Sequence, residues 1–321
     1  MSTLKTWVSA MRLRTLPLAA SAILLGIALS DLHYSATGTV AVLCICTAIC
    51  LQILSNLAND YGDFIKGTDN DNRVGNMRAL QSGNITTLQM KNAIILFVIL
   101  SLTSGISLLY NATQGQLNAI FLVFFALGVI AIIAAIKYTV GKRAYGYSGL
   151  GDVAVFVFFG PVSVIGTFLL CNGLAFNWSS DWKIFLPTVG VGLLSTAVLN
   201  TNNIRDIEND QASGKFTIPV KIGLHKARVY HSALISVALL SFMAYLIIGY
   251  THWLLLLQLP AMVLIVKAWK GVLTTDPSPV YNGFLKQLSL GTLLFVLVFI
   301  LTHIGSRLLM VSELINTFAK P

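Results

Sequence analysis

Charge is what this 321-residue chain has least of. Asp, Glu, Lys and Arg together make up 10% of it, and the acids number only 12. Soluble domains carry roughly 25% charged residues. With 56% hydrophobic residues and a mean hydropathy of +0.79, the composition excludes an ordinary soluble protein and predicts an all-α integral membrane one. Histidine is sparse too: His33, His225, His231, His252 and His303 are dispersed, which argues against a His-ligated metal. Of the four cysteines, Cys44, Cys46 and Cys50 share one apolar run and Cys171 ends another. No His or acid joins Cys46 and Cys50 on their helical face, so they read as small packing residues, not as a metal site or disulfide. A Walker loop, a dinucleotide fingerprint, a linker and a low-complexity stretch are all lacking, and residues 1–321 read as a single domain.

Bases outnumber acids, 21 to 12, for a net charge of +9. In a soluble chain this would suggest nucleic acid. In a membrane chain it is what the positive-inside rule requires, so no nucleic-acid partner is expected. A spanning helix takes roughly 20 apolar residues, and nine candidates lie at approximately 15–31, 39–58, 92–110, 117–136, 150–171, 184–202, 229–250, 252–270 and 287–307. Only Tyr250, Thr251 and His252 separate the seventh from the eighth, which predicts a tight helical hairpin. With a cytoplasmic N-terminus, 18 of the 21 Lys and Arg fall on that side and only Lys183, Arg307 and Lys320 on the other. Residues 1–30 have a basic start and an Ala28-Leu29-Ser30 ending that resembles a cleavage site, but the many spans that follow make a retained first helix the better reading.

The few acids are not scattered. Asp60, Asp63, Asp69, Asp71, Asp206, Glu208 and Asp210 account for seven of the 12, in two segments that follow the second and sixth apolar runs. The topology places both on the cytoplasmic side. On a helix Asn56, Asp60 and Asp63 share a face at i, i+4 and i+7, and Asn203, Asp206 and Asp210 do so at i, i+3 and i+7. Asn59 and Asn203 each precede an Asp cluster, the pattern that duplication of a four-helix unit would leave. Acids stacked at helix C-termini, against the macrodipole, need cations. Mg²⁺ suits them, because it accepts one or two carboxylates together with phosphate oxygens. Solvated acidic loops would explain the acids alone. They would not explain the repeated spacing or the interleaved Lys66, Arg73, Arg78, Arg205 and Lys215.

A third constellation runs from Tyr138 to Asp152. Lys142 and Arg143 could be plain topogenic charge, but Tyr145, Tyr147 and several glycines around them favour a shaped pocket, with cations for phosphate and rings for an apolar ligand. Asp152 is an acid at membrane depth and hence a functional candidate. Gly75 and Gly83 read as turn residues.

These segments resemble the UbiA superfamily of membrane prenyltransferases, and closely its 1,4-dihydroxy-2-naphthoate polyprenyltransferase branch. The resemblance is carried by Arg12 and Thr15-Leu16-Pro17, by Gln52 to Asp63 with Lys66-Gly67 and Asp69, and by Tyr138-Thr139-Val140-Gly141. It continues in Tyr145-Gly146-Tyr147, Gly149-Leu150-Gly151-Asp152, Phe158-Phe159-Gly160 and Ala197-Val198-Leu199-Asn200. Asn202-Asn203, Arg205-Asp206, Asp210, Gly214-Lys215 and Thr217 complete it, so it covers about the first six helices. In the family pattern Asn-Asp-x-x-Asp-x-x-x-Asp, Gly67 stands at the last position and Asp69 follows two residues later, as in the naphthoate branch; Tyr138 and Lys142 form the Tyr-x-x-x-Lys element.

The resemblance implies nine helices around a central cavity capped by cytoplasmic loops, in a multi-pass protein of the cell inner membrane. It implies transfer of a polyprenyl group from an all-trans polyprenyl diphosphate to 1,4-dihydroxy-2-naphthoate, with loss of diphosphate and CO₂, to give demethylmenaquinol. Asp60, Asp63, Asp206 and Asp210 would hold Mg²⁺, with Lys142 assisting at the diphosphate. Asn56, Asn59, Lys66, Asp69, Tyr138, Arg143, Tyr147, Asp152, Asn203, Arg205 and Lys215 would bind substrate. Arg12, by position and charge, would pair with the naphthoate carboxylate. Another acceptor, such as 4-hydroxybenzoate or a haem vinyl group, is the nearest alternative; a secondary transporter would explain the helices but not two metal-spaced acid clusters.

Overall fold

A computed structural model describes residues 4–30, 37–70, 74–75, 77–249 and 253–318. Tyr250, Thr251 and His252, where the hairpin is expected, lie outside the described residues, as do His33, Asp71, Arg73 and Lys320. The described residues are mostly helical, joined by turns and by longer connections over 66–86 and 138–150, with no strand among them. The helices are α1 (Leu4–Ala10), α2 (Leu16–Leu29), α3 (Thr37–Ile65), α4 (Thr87–Ala112), α5 (Ala119–Lys137) and α6 (Gly151–Cys171). They continue with α7 (Trp178–Arg205), α8 (Ile207–Ala212), α9 (Ile218–Gly249), α10 (Leu254–Thr274) and α11 (Tyr281–Phe318).

Eight of these are long and apolar enough to cross a membrane, so this is a multi-pass membrane protein. The ninth expected span is α2, which at 14 residues extends only about 21 Å and is shorter than the stretch read from hydropathy. Several other spans, among them α3, α4, α7, α9 and α11, run longer than their apolar cores. Helix α3 continues past residue 58 to Ile65, because Asp60 and Asp63 meet polar partners at the helix end and do not interrupt its backbone. Asp60 and Asp63 therefore sit in the last turns of a helix.

Packing is close where side chains are small. Added side-chain carbon at Gly160 or Gly192 of the α6–α7 contact would press on the facing backbone, and at Gly190 on the ring of Phe242. Such small residues let membrane helices approach without a hydrophobic driving force. Phe242 in turn stacks edge-on against Phe295 and Phe299 at ring centroid distances of 5.0 and 5.1 Å, which ties α9 to α11. Within α6, Pro161 has no backbone N–H to donate, and Phe158–Ile165 opens into a π-helical stretch. That widened stretch forms part of the wall of the central cavity.

Both acidic segments close in the same way. After α3 the chain takes a left-handed turn at Gly67 (φ 72°), and the Thr68 amide donates back to the Asp63 carbonyl at 3.0 Å. After α8 it does so at Gly214 (φ 70°), and the Lys215 amide donates to the Asp210 carbonyl at 2.8 Å. Only glycine holds that backbone without strain. The shared geometry aligns Asp63 with Asp210 and Gly67 with Gly214, hence Asn56 with Asn203 and Asn59 with Asp206. This corrects the Asn59–Asn203 correspondence read from sequence, and Asp60 is left opposite Ile207, with no acidic counterpart.

Candidate active site

The two segments meet. Asn209 on α8 donates its amide to the Thr68 carbonyl at 3.0 Å, which joins the turn after α3 to the helix after α7. Between them lies a small polar pocket of about 30 Å³ whose walls include Asp63, Asp69, Asp206, Asp210, Asn203 and Lys215. Asn59, Arg78, Tyr138 and Asn202 line both this pocket and a cavity of about 660 Å³ that runs into the bundle. The larger cavity is walled deeper down by apolar side chains such as Leu18, Ile23, Leu108, Phe124 and Leu170.

Cations hold the acids in place. The Tyr147 hydroxyl donates to Asp63 at 2.8 Å and sits 2.6 Å from the Thr68 hydroxyl, while Lys215 Nζ lies 3.9 Å from Asp63 and 3.6 Å from Asp210. Lys66 Nζ stands 3.8 Å above the Tyr147 ring. Burial alone would lower the Lys215 pKa, but Asp63 and Asp210 outweigh it and push it up, so Lys215 stays cationic. Burial and the neighbouring Asp63 push the Tyr147 phenol up, so it remains a donor. Arg205 grips Asp206 through two nitrogens, at 2.5 and 2.9 Å, and also donates to Asn202 and Asn282.

Asp60 belongs to a different arrangement. It is ion-paired to Arg12, and Arg78 Nη1 lies 3.4 Å away; Arg78 also approaches Asp69 at 3.9 Å. Arg12 occupies the corner between α1 and α2 with a left-handed backbone (φ 50°, ψ 52°), which costs a non-glycine residue about 1–2 kcal/mol. Asn56 helps staple this corner to α3, its amide donating to the Met11 carbonyl at 2.9 Å and the Thr15 hydroxyl at 3.1 Å. The predicted shared face of Asn56, Asp60 and Asp63 thus divides: the first two fasten the corner and Asp63 faces the pocket. Of the four carboxylates expected to act together, the structure groups Asp63, Asp206 and Asp210 and sets Asp60 apart.

Tyr138 is wedged between Gly146 and Gly151, where a side chain at either glycine would meet its ring, and it packs edge-on against Tyr145 with centroids 5.4 Å apart. Asp152 is buried and accepts a hydrogen bond from Tyr230 at 3.1 Å, off both cavity walls. Lys142 and Arg143, expected at the diphosphate, are exposed and line neither cavity. Arg78 and Asn209 are the residues that motif reading missed. Arg78 was legible only as one of several interleaved bases, and nothing in the spacing marked Asn209.

Among the described residues no group of three His, Cys, Asp or Glu side chains is placed to hold a metal ion. The donor set of the small pocket still suits a hard cation. It offers carboxylates from Asp63, Asp206 and Asp210, and the Asn59 Oδ1 atom is buried with no hydrogen-bond partner among the described residues. Magnesium takes oxygen ligands of this kind and completes its shell with water or phosphate.

The sequence profile of the UbiA prenyltransferase family matches residues 19–290. This chain belongs to the UbiA prenyltransferase family. Within it, the chain is 43% identical to a 1,4-dihydroxy-2-naphthoate octaprenyltransferase of Haemophilus influenzae over 301 residues, covering 92% of this chain and 94% of that one. It is 42% identical to the Escherichia coli protein of the same name over 300 residues, covering 92% and 94%. Among solved structures, a UbiA homologue from Archaeoglobus fulgidus bound to DMAPP and Mg²⁺ superposes with a TM-score of 0.59 at 17% identity, over 92% of this chain and 98% of that one. At that identity the likeness shows the fold alone.

Proposed function

We propose that this UbiA-family enzyme transfers a polyprenyl group from an all-trans polyprenyl diphosphate to 1,4-dihydroxy-2-naphthoate, the acceptor named for its 43% identical relative. The observation that carries the reading is the junction of an acid- and lysine-lined pocket with a long apolar cavity, because a prenyl diphosphate is a polyanion joined to an apolar tail. In the reaction the allylic C–O bond breaks and diphosphate leaves with the electron pair. The ring carbon that bears the carboxylate forms the new C–C bond. The bond to the carboxylate then breaks, CO₂ departs, and its electron pair restores the aromatic ring of demethylmenaquinol.

The residues divide the work. Lys215 and Arg78 supply positive charge around the leaving diphosphate, Lys66 stacks on the Tyr147 ring without lining either cavity, and the Tyr147 hydroxyl keeps Asp63 oriented. Asp63, Asp206, Asp210 and Asn59 are the residues that would hold Mg²⁺, which when bound neutralises the leaving group. Tyr138 stands where the pocket meets the cavity, so its ring is placed to face developing positive charge on the allylic carbon. The apolar walls keep water from that carbon and take the tail.

Purified enzyme given a mixture of 1,4-dihydroxy-2-naphthoate, 4-hydroxybenzoate and polyprenyl diphosphates of several lengths should yield prenylated naphthoquinol only, by product mass spectrometry. Prenylated hydroxybenzoate as the main product would overturn the acceptor. We further infer that the protein lies in the cell inner membrane with the site facing the cytoplasm; the 18-to-3 split of Lys and Arg supports that orientation. In a variant without the four native cysteines, a cysteine at Gln211 should label only from the cytoplasmic side and one at Asn177 only from the opposite side. Labelling of both from one side would refute that topology.

A further inference from the structure

The charge pattern counts Lys286 among the topogenic bases, but the structure puts it on the cavity wall. Asn282, Leu285, Lys286 and Ser289 follow one another along one face of α11, and all four line the 660 Å³ cavity. Asn282 accepts from Arg205 Nη1 at 2.8 Å, directly beside the Arg205–Asp206 pair. Lys286 therefore stands one helical turn, about 5–6 Å, deeper than that pair, at the level where the polar pocket gives way to the apolar channel.

Three cations line this cavity: Arg12, Arg78 and Lys286. Asp60 pairs with Arg12 and Arg78, and Asp69 also approaches Arg78. Lys286 has no ion-pair or hydrogen-bond partner among the described residues and is exposed. An ammonium on a spanning helix, facing a largely apolar cavity, is expensive unless an anion meets it or its head reaches water. The reacting carbon of the acceptor carries the carboxylate, so that anion must lie close to the allylic carbon, near the junction of pocket and channel. We propose that Lys286 binds the carboxylate of the aromatic acceptor. This assignment rests on the reaction proposed above, and it replaces Arg12, whose charge is already taken by Asp60. The ion pair is made in the ground state and is lost as CO₂ leaves, so Lys286 contributes binding and not bond-making.

The test is steady-state kinetics on the full-length enzyme, wild type against Lys286→Ala and Lys286→Arg, with the naphthoate and with 1,4-naphthalenediol, which has the ring but no carboxylate. Removal of ground-state binding raises KM without changing kcat. The alanine variant should raise the naphthoate KM about tenfold or more, with kcat and the KM for prenyl diphosphate within about twofold of wild type. Arginine should restore most of the loss, and turnover of the diol should be equal in wild type and alanine variant. An unchanged naphthoate KM, an equal loss with the diol, or a rise confined to the prenyl diphosphate KM would each overturn the assignment. Failure of the wild type to prenylate the naphthoate would overturn the proposed reaction and the assignment with it, whereas wild-type turnover with an unaltered variant overturns the assignment alone.

Discussion

Asparagine at Asp63 or Asp210 should lower kcat on the order of 10²–10³-fold, the scale seen when one preorganised electrostatic contact to a developing charge is removed. The change is isosteric, so it tests charge and not packing. Asp63 keeps its Tyr147 hydrogen bond as an amide, and Asp210 keeps the backbone turn that its carbonyl anchors. Asp206→Asn should fall in the same class, with the magnesium concentration for half-maximal rate raised in all three. Glu208→Gln should be mild, because Glu208 is exposed and lines neither cavity. Asp60→Asn should differ in kind. It would weaken the hold on two buried guanidiniums, so thermal stability should drop while the magnesium dependence stays near wild type. Burial, and then the neighbouring Arg78, lower the Arg12 pKa, and Asp60 is what opposes them. Equal magnesium shifts at all five positions would contradict this division.

Lys215→Met should have the second largest effect. Lys215 is buried between Asp63 and Asp210, and removing one partner of a buried ion pair costs about 3–5 kcal/mol because the remaining charge is left uncompensated. Without magnesium the variant should therefore melt at a clearly lower temperature, and saturating magnesium should recover part of the loss by supplying the missing positive charge. Turnover should still fall by about 10²-fold, since the diphosphate loses a fixed cation at its leaving oxygens. The folded-state pKa of Lys215 is raised. Its stabilising contribution is then fully present below the ordinary lysine value of about 10.4 and is lost only as pH rises through the higher folded value. The difference in melting temperature between wild type and variant should accordingly stay constant between about pH 6 and 9. Lys142→Met, at an exposed position off both cavities, should change neither melting nor turnover appreciably.

The apolar runs and the acid spacing were legible in the sequence because each depends on local periodicity. Hydropathy located the spans but ended α3 early, since a window over Asn59, Asp60 and Asp63 cannot tell a helix end from a helix face turned to a site. The roles within the acidic segments were harder to read. Asn56 and Asp60 lie one turn apart and look like ligands, yet both serve the α1–α2 corner, a contact between residues more than 40 positions apart in sequence. Asn209, which joins the two segments, bonds to Thr68 across 141 positions, and no motif marks it. Lys142 fits the Tyr-x-x-x-Lys element but faces away from the cavities, whereas Lys286 looked like topogenic charge and faces into one. In each case the side chain's direction decides the role, and direction is fixed by tertiary packing that spacing alone does not encode.

The most direct measurement of the central claim is the fate of the acceptor's carboxylate. Incubated with carboxyl-labelled 1,4-dihydroxy-2-naphthoate, a polyprenyl diphosphate and magnesium, the enzyme should release labelled CO₂ and diphosphate in equal amounts and leave no label in the prenylated product. Label retained in a prenylated product would contradict the reaction, since it would place the new bond at a ring position other than the one the carboxylate leaves.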